Sequence, residues 1–178
     1  MKLSTKEIII CGLFAAITSI LSQISIPLPF TTVPLTMQVF AVAISGIILG
    51  AKKGFISQTI YILMGAIGIP VFAEMTAGIG IVIGPTGGFI LGFPLMSLII
   101  GYFTEKFKKN TYIGIGMLLG LIIDYIIGTI MFSFITKVTF IQGIIVCVVP
   151  FILADLIKLS LAIFLGISIS KRINKGIK

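Results

Sequence analysis

The 178-residue chain has no histidine and no tryptophan, only five acidic residues and only two cysteines. Without histidine no Ser–His–Asp or Cys–His nucleophile can be assembled, so an enzyme would have to work with carboxylates, lysine and hydroxyls. Cys11 and Cys147 are too few for a disulfide framework or a metal site. They fall near opposite ends of the apolar runs, too far apart to bridge. Charged residues make up 10% of the chain against 58% apolar, far from the roughly one-quarter charged of soluble domains. These absences exclude a soluble globular protein and describe an integral membrane protein. No polar or low-complexity stretch is long enough to act as a linker, so residues 1–178 read as a single transmembrane domain.

What charge there is has one dominant sign, +8 overall, and its basic residues sit in short clusters between apolar runs rather than along one face. That pattern points to anionic lipid headgroups and the cytosol, not to nucleic acid. Lys2 and Lys6 before "IIICGLFAAITSIL" resemble the start of a signal peptide, but no A-x-A cleavage pattern follows, so this is read as an uncleaved first helix.

Apolar runs long enough for a hydrocarbon core of about 30 Å fall at 6–24, 34–51, 54–73, 88–104, 111–135 and 141–170. The expected fold is therefore all-α, with six transmembrane helices. Pro34 suits a helix start, and Gly65, Gly68 and Pro70 should loosen the end of the third run. With the N-terminus in the cytosol, Lys2, Lys6, Lys52, Lys53, Lys106, Lys108, Lys109, Lys171, Arg172, Lys175 and Lys178 lie inside and only Lys137 outside. Such a bias requires an even number of crossings with both termini cytoplasmic, in the cell membrane. Two outer segments, "SIPLPFTTVPLTMQ" (25–38) and "FAEMTAGIGIVIGPTGG" (72–88), are rich in Pro, Gly and Thr yet nearly uncharged. Irregular backbone at membrane depth is tolerated where it lines a cavity, so these loops are expected to lid an outward-facing pocket.

Against this background "FILADLIKLS" is conspicuous, because a charge at mid-bilayer depth costs about 2.5–3.5 kcal/mol on insertion scales. Asp155 and Lys158, three apart, share one helix face. They either neutralise each other or face a polar ligand, the aspartate accepting N–H bonds and the lysine donating to a carbonyl or carboxylate. Asp124, in "GLIIDYIIGT", is a second intramembrane acid that would join the pocket, pair with Lys158 or carry a proton. Glu74 reads as a solvated loop carboxylate. "GIGIVIGPTGG" is no nucleotide loop, since no GxxxxGK[ST] occurs in the chain. It reads as a tight turn and helix start whose N–H groups are able to meet a carbonyl or anion. In "CGLFAAIT", Gly12 with Ala16 and Ala15 with Ser19 have the small-residue spacing of close helix approach, either internal or toward another subunit.

Taken together, "PFTTVPLTMQ" (29–38), "GIPVFA" (68–73), "GPTGGFILGF" (84–93), "DYIIGT" (124–129) and "PFILADLIKLSLA" (150–162) resemble the BioY family, biotin-binding S components of energy-coupling factor (ECF) vitamin transporters. The pairing of GPTGG with a late PFxxxDxxK is the specific part. Phe89 stands where the family often has tyrosine, and the first-helix AxxxA appears as Gly12 and Ala16. The resemblance implies a six-helix subunit that captures biotin from outside. It would work with a transmembrane coupling subunit and cytoplasmic ATPases that alone bind ATP, needing no cofactor or metal. The candidate ligand contacts are Asp155, Lys158, Gln38, Thr86, Gly87, Phe72, Phe30 and Asp124, with Gly12 and Ala16 for partner docking. The competing readings are a self-sufficient proton-coupled carrier using Asp124 or Asp155, an intramembrane lipid enzyme, and a membrane scaffold.

Overall fold

A computed structural model describes residues 4–107 and 109–176, with side chains described as far as residue 169. Lys2, Lys108 and Lys178, counted above for orientation, lie outside the described residues. The architecture is helical: α1 (Thr5–Ser22), α2 (Gln38–Ala66), α3 (Ile79–Val82), α4 (Gly87–Lys106), α5 (Asn110–Thr136), α6 (Phe140–Cys147) and α7 (Ile152–Gly176). A two-residue antiparallel ladder joins β1 (Ser25–Ile26) to β2 (Leu35–Thr36), with Ser25 opposite Thr36. Five helices, α1, α2, α4, α5 and α7, are long and apolar enough to cross a membrane.

α2 is not one rod. Gly50 has φ 79° and ψ −178°, an extended conformation open essentially to glycine alone, and the chain folds back there. In a straight helix Ser45 and Gln58 would be about 20 Å apart, and Gln38 and Tyr61 about 35 Å. Instead Gln58 Nε2 donates to Ser45 Oγ at 3.0 Å and Gln38 Nε2 to Tyr61 Oη at 2.7 Å. The two halves, 38–49 and 51–66, thus lie side by side. Glu105 Oε1, from the end of α4, accepts from the Ala51 N–H at 3.2 Å, one of the donors left unpaired where the second half begins.

α2 and α4 form the centre: 61% and 56% of their apolar windows are buried, against 28–33% for α1, α5 and α7 around them. A buried polar network pins three of these helices, with Gln58 Nε2 also donating to Thr18 Oγ1 at 3.1 Å and Ser45 Oγ 2.9 Å from Ser97 Oγ. One end of the bundle carries the charge: Glu7, Lys52, Lys53, Glu105 and Lys106 gather around the Gly50 reversal, with Lys53 Nζ 4.0 Å from Glu7 Oε1. The other end carries the irregular segments.

Two sequence expectations are corrected. The second run does not become helical at Pro34, because residues 35–36 pair with β1 and the helix begins at Gln38. The run at 141–170 is two helices, because Pro150 lacks an N–H and disfavours helix in the residue before it, leaving a turn between α6 and α7. The third run does end at Ala66, ahead of Gly68 and Pro70.

Gly50→Ala is expected to destabilise the protein by about 1–3 kcal/mol, since alanine is strained at this φ/ψ and its methyl would collide with the Glu105 carboxylate. Thermal unfolding in detergent measures it, with an unchanged midpoint as the contrary result.

Candidate ligand-binding site

At the end away from the charged reversal lies a cavity of ≈ 210 Å³, of small-molecule rather than peptide size. Its more exposed lining residues, Thr32, Glu74, Thr76 and Thr86, mark the mouth, and the buried Thr36, Phe72, Phe89, Ile90, Phe93 and Phe151 its walls. Asp124 and Tyr125 of α5, with Asp155 and Lys158 of α7, supply a buried polar cluster.

The helix break at Pro150 explains where Asp155 stands. It falls in the first turn of α7, where the positive end of the helix dipole favours a carboxylate. Lys158, three residues on, donates from Nζ to Asp155 Oδ1 at 2.7 Å, and the Tyr125 hydroxyl donates to Oδ2 at 2.6 Å. Among the described residues this is the one buried ion pair, with Asp155 3% and Lys158 7% exposed. Each carboxylate oxygen keeps a free lone pair and the ammonium keeps two further N–H donors, so the cluster can still accept from and donate to a ligand. Asp124 is 1% exposed and its Oδ1 has no hydrogen-bond partner among the described residues. It does not pair with Lys158, whose partner is Asp155.

The other candidates divide. Gln38 lines the cavity but is braced, its Oε1 accepting from Thr36 Oγ1 at 2.9 Å while its amide holds Tyr61. Phe72 lines the wall at 1% exposure, edge-on to Tyr61 with centroids 5.5 Å apart. Thr86 lines the mouth, while Gly87 lies beside it, buried against the Val82 carbonyl rather than on the wall. Phe30 is 59% exposed and outside the cavity lining. Glu74, read as a solvated loop residue, is exposed and at the same time borders the mouth. Gly12 and Ala16 are half-buried on α1, and a methyl group on Gly12 would meet nothing within 4 Å, so internal packing does not require glycine there. Cys11 and Cys147 are both buried and free.

The loop over the cavity is tied to α1. Ser22 Oγ donates to Val71 O at 2.6 Å, Gln23 Nε2 donates to Phe72 O at 3.0 Å, and the Met75 N–H donates to Gln23 Oε1 at 2.9 Å. Tyr125, Phe93 and Phe151 were not singled out from sequence. Tyr125 adjoins Asp124, but neighbours on a helix diverge by about 100° and do not announce a shared cavity.

A model of the BioY family matches residues 1–175. The chain belongs to the BioY family. A probable biotin transporter BioY of Pyrococcus horikoshii is 40% identical over 92% of this chain and 96% of its own length. The biotin transporter BioY of Thermotoga maritima is 37% identical over 93% and 96%. A crystal structure of the S-component for biotin from an ECF-type ABC transporter superposes with a TM-score of 0.86 at 27% identity, covering 96% of this chain and 95% of that one. This BioY chain is accordingly a multi-pass membrane protein of a transporter family, with the S-component fold, and not an enzyme.

Lys158→Ala leaves the buried Asp155 charge without its counter-ion, with only the Tyr125 hydroxyl donating to it, and is expected to cost about 3–5 kcal/mol. Replacing both at once, Asp155→Leu with Lys158→Met, should restore most of that loss. Thermal melts of the three proteins decide it, and a double variant less stable than the single one would contradict the pairing energetics.

Proposed function

We infer that this chain is the biotin-capturing S component of an ECF-type transporter, taking biotin at the outer face and delivering it inward with a coupling subunit and ATPases. The observation that carries the reading is the buried Asp155–Lys158 pair opening onto an aromatic-walled cavity, in a family whose relatives are named for biotin. Biotin has a ureido head with two N–H donors and one carbonyl, an apolar sulfur ring and a valerate tail. Asp155 suits a ureido N–H, Lys158 a carbonyl or carboxylate, and the phenylalanine wall the ring. Asp124, Gln38 at the start of α2 and Thr86 just before α4 complete the polar surroundings, with Gly87 behind Thr86 rather than on the wall. Phe30 would need the loop that carries it to move inward before it covered the ring.

Counting the halves of α2 separately makes six crossings. At about 18 and 24 Å these halves are shorter than a hydrocarbon core of about 30 Å. The irregular segments beyond them complete the passage where they line the cavity, which is the one setting in which such backbone is tolerated at depth. The gathering of Lys52, Lys53 and Lys106 at the end opposite the cavity supports cytoplasmic termini and an outward mouth. The unit is a single domain that requires no cofactor. The bilayer surrounds it, and ATP is hydrolysed on its partners. Gly12, with open space beside it, and half-buried Ala16 suit close approach by a helix of the coupling subunit.

A second reading, a self-sufficient proton-coupled carrier, is favoured by the unpartnered Asp124 alone. It requires uptake that persists without ATPase subunits and collapses with the proton gradient.

Purified protein is expected to bind biotin in calorimetry without ATP, and Asp155→Asn or Lys158→Ala should weaken binding at least tenfold. Absence of biotin binding, with tight binding of another vitamin, would remove the substrate assignment. Gly12→Leu and Ala16→Leu should leave binding intact and abolish both co-purification with the coupling subunit and energised uptake. Loss of binding with the complex retained would place these residues in the internal core.

A further inference from the structure

α4 and α5 run antiparallel in a ladder of close contacts with a glycine on every rung. A methyl on Gly88 would come within 2.8 Å of Ile127 O and 2.9 Å of Gly128 Cα, and one on Gly120 within 3.1 Å of Met96 O. Between these rungs, one turn from each, Gly92 faces Asp124. There the glycine admits a carboxylate: a methyl on Gly92 would overlap Asp124 Oδ1, the oxygen without a hydrogen-bond partner. Asp124 also lines the cavity. Its carboxylate therefore lies flush against α4 because position 92 has no side chain.

We propose that Gly92 is a positioning residue for ligand binding, seating Asp124 in the cavity wall so that it serves as a second acceptor beside Asp155. This rests on the biotin reading above. The two N–H groups of a cyclic urea diverge, so a single carboxylate does not receive both squarely. Asp155 has one oxygen engaged by Lys158 and the other by Tyr125, whereas Asp124 accepts no hydrogen bond from a side chain among the described residues; with Oδ1 turned to Gly92, its other oxygen is the one left for a ligand. With a methyl at position 92 the Asp124 carboxylate is displaced toward the cavity, where it takes up ligand space and loses register with the second N–H.

The test is a double-mutant cycle, with biotin affinity from calorimetry and thermal midpoint for wild type, Gly92→Ala, Asp124→Ala and the double variant. Gly120→Ala, on a rung with no carboxylate and outside the cavity lining, is the packing control. Gly92→Ala is expected to weaken binding at least tenfold, Asp124→Ala to weaken it likewise, and the double variant to bind no worse than Asp124→Ala, because the overlap has gone. Gly120→Ala should lower the midpoint with affinity retained. If Gly92→Ala does not yield folded protein, Asp124→Ala in the same chain should restore folding. Independent losses in the double variant, wild-type affinity in Gly92→Ala, or failure of Asp124→Ala to restore folding would each overturn the seat while leaving biotin as ligand. A wild-type protein that does not bind biotin would overturn both.

Discussion

In hydrocarbon every backbone N–H and C=O must find a partner inside the protein, and each one left over costs several kcal/mol. This constraint orders the molecule. Five long apolar helices satisfy their own backbones. The segments between them, 23–37, 67–86 and 137–151, in which only the short helices α3 and α6 interrupt irregular backbone, collect at one end, where they bond to one another and to helix termini and wall a cavity. The cavity thus opens where the chain departs from long helix, and the departures are written as Pro, Gly and Thr.

The reversal at Gly50 is the second consequence. Folding α2 on itself brings Gln38 beside Tyr61 and Ser45 beside Gln58. The first of these contacts braces the cavity, because the Tyr61 hydroxyl in turn donates to Val71 O at 3.1 Å, in the loop that Ser22 and Gln23 also hold. The loop is consequently fixed by α1 and α2 together. At Glu74 and Met75 it carries two adjacent non-glycine residues with φ near 58° and 56°, a local cost that the bonds from Gln23 offset.

Charge placement follows the same economy. Asp155 stands at a helix N-terminus and accepts from Lys158 and Tyr125, so two formally unfavourable residues become a neutral, hydrogen-bonded unit. Asp124 has no such arrangement among the described residues and is accommodated by the absence of a side chain at Gly92. The two aspartates thus differ, one with both oxygens hydrogen-bonded and the other with an oxygen that has no partner among the described residues.

The membrane class, the helical fold, the membership of the BioY family and the placing of Asp155 and Lys158 on one helix face were legible in the sequence, because they rest on local signals. An apolar run, a charge at i and i+3, and motifs such as GPTGG need no knowledge of what packs against them. The start of α2 was misplaced because a two-residue ladder between 25–26 and 35–36 is a long-range pairing with no local period. The division at Pro150 was hidden by unbroken hydropathy, although it decides that Asp155 lies in a first turn. Tertiary structure alone decided that Tyr125 reaches Asp155, that Phe93 and Phe151 complete the wall, that Phe30 stands outside it and that Gly92 faces Asp124. These depend on which faces of α4, α5 and α7 meet. Helix-facing is set by side-chain volume summed over many contacts, a quantity that no single stretch of sequence contains.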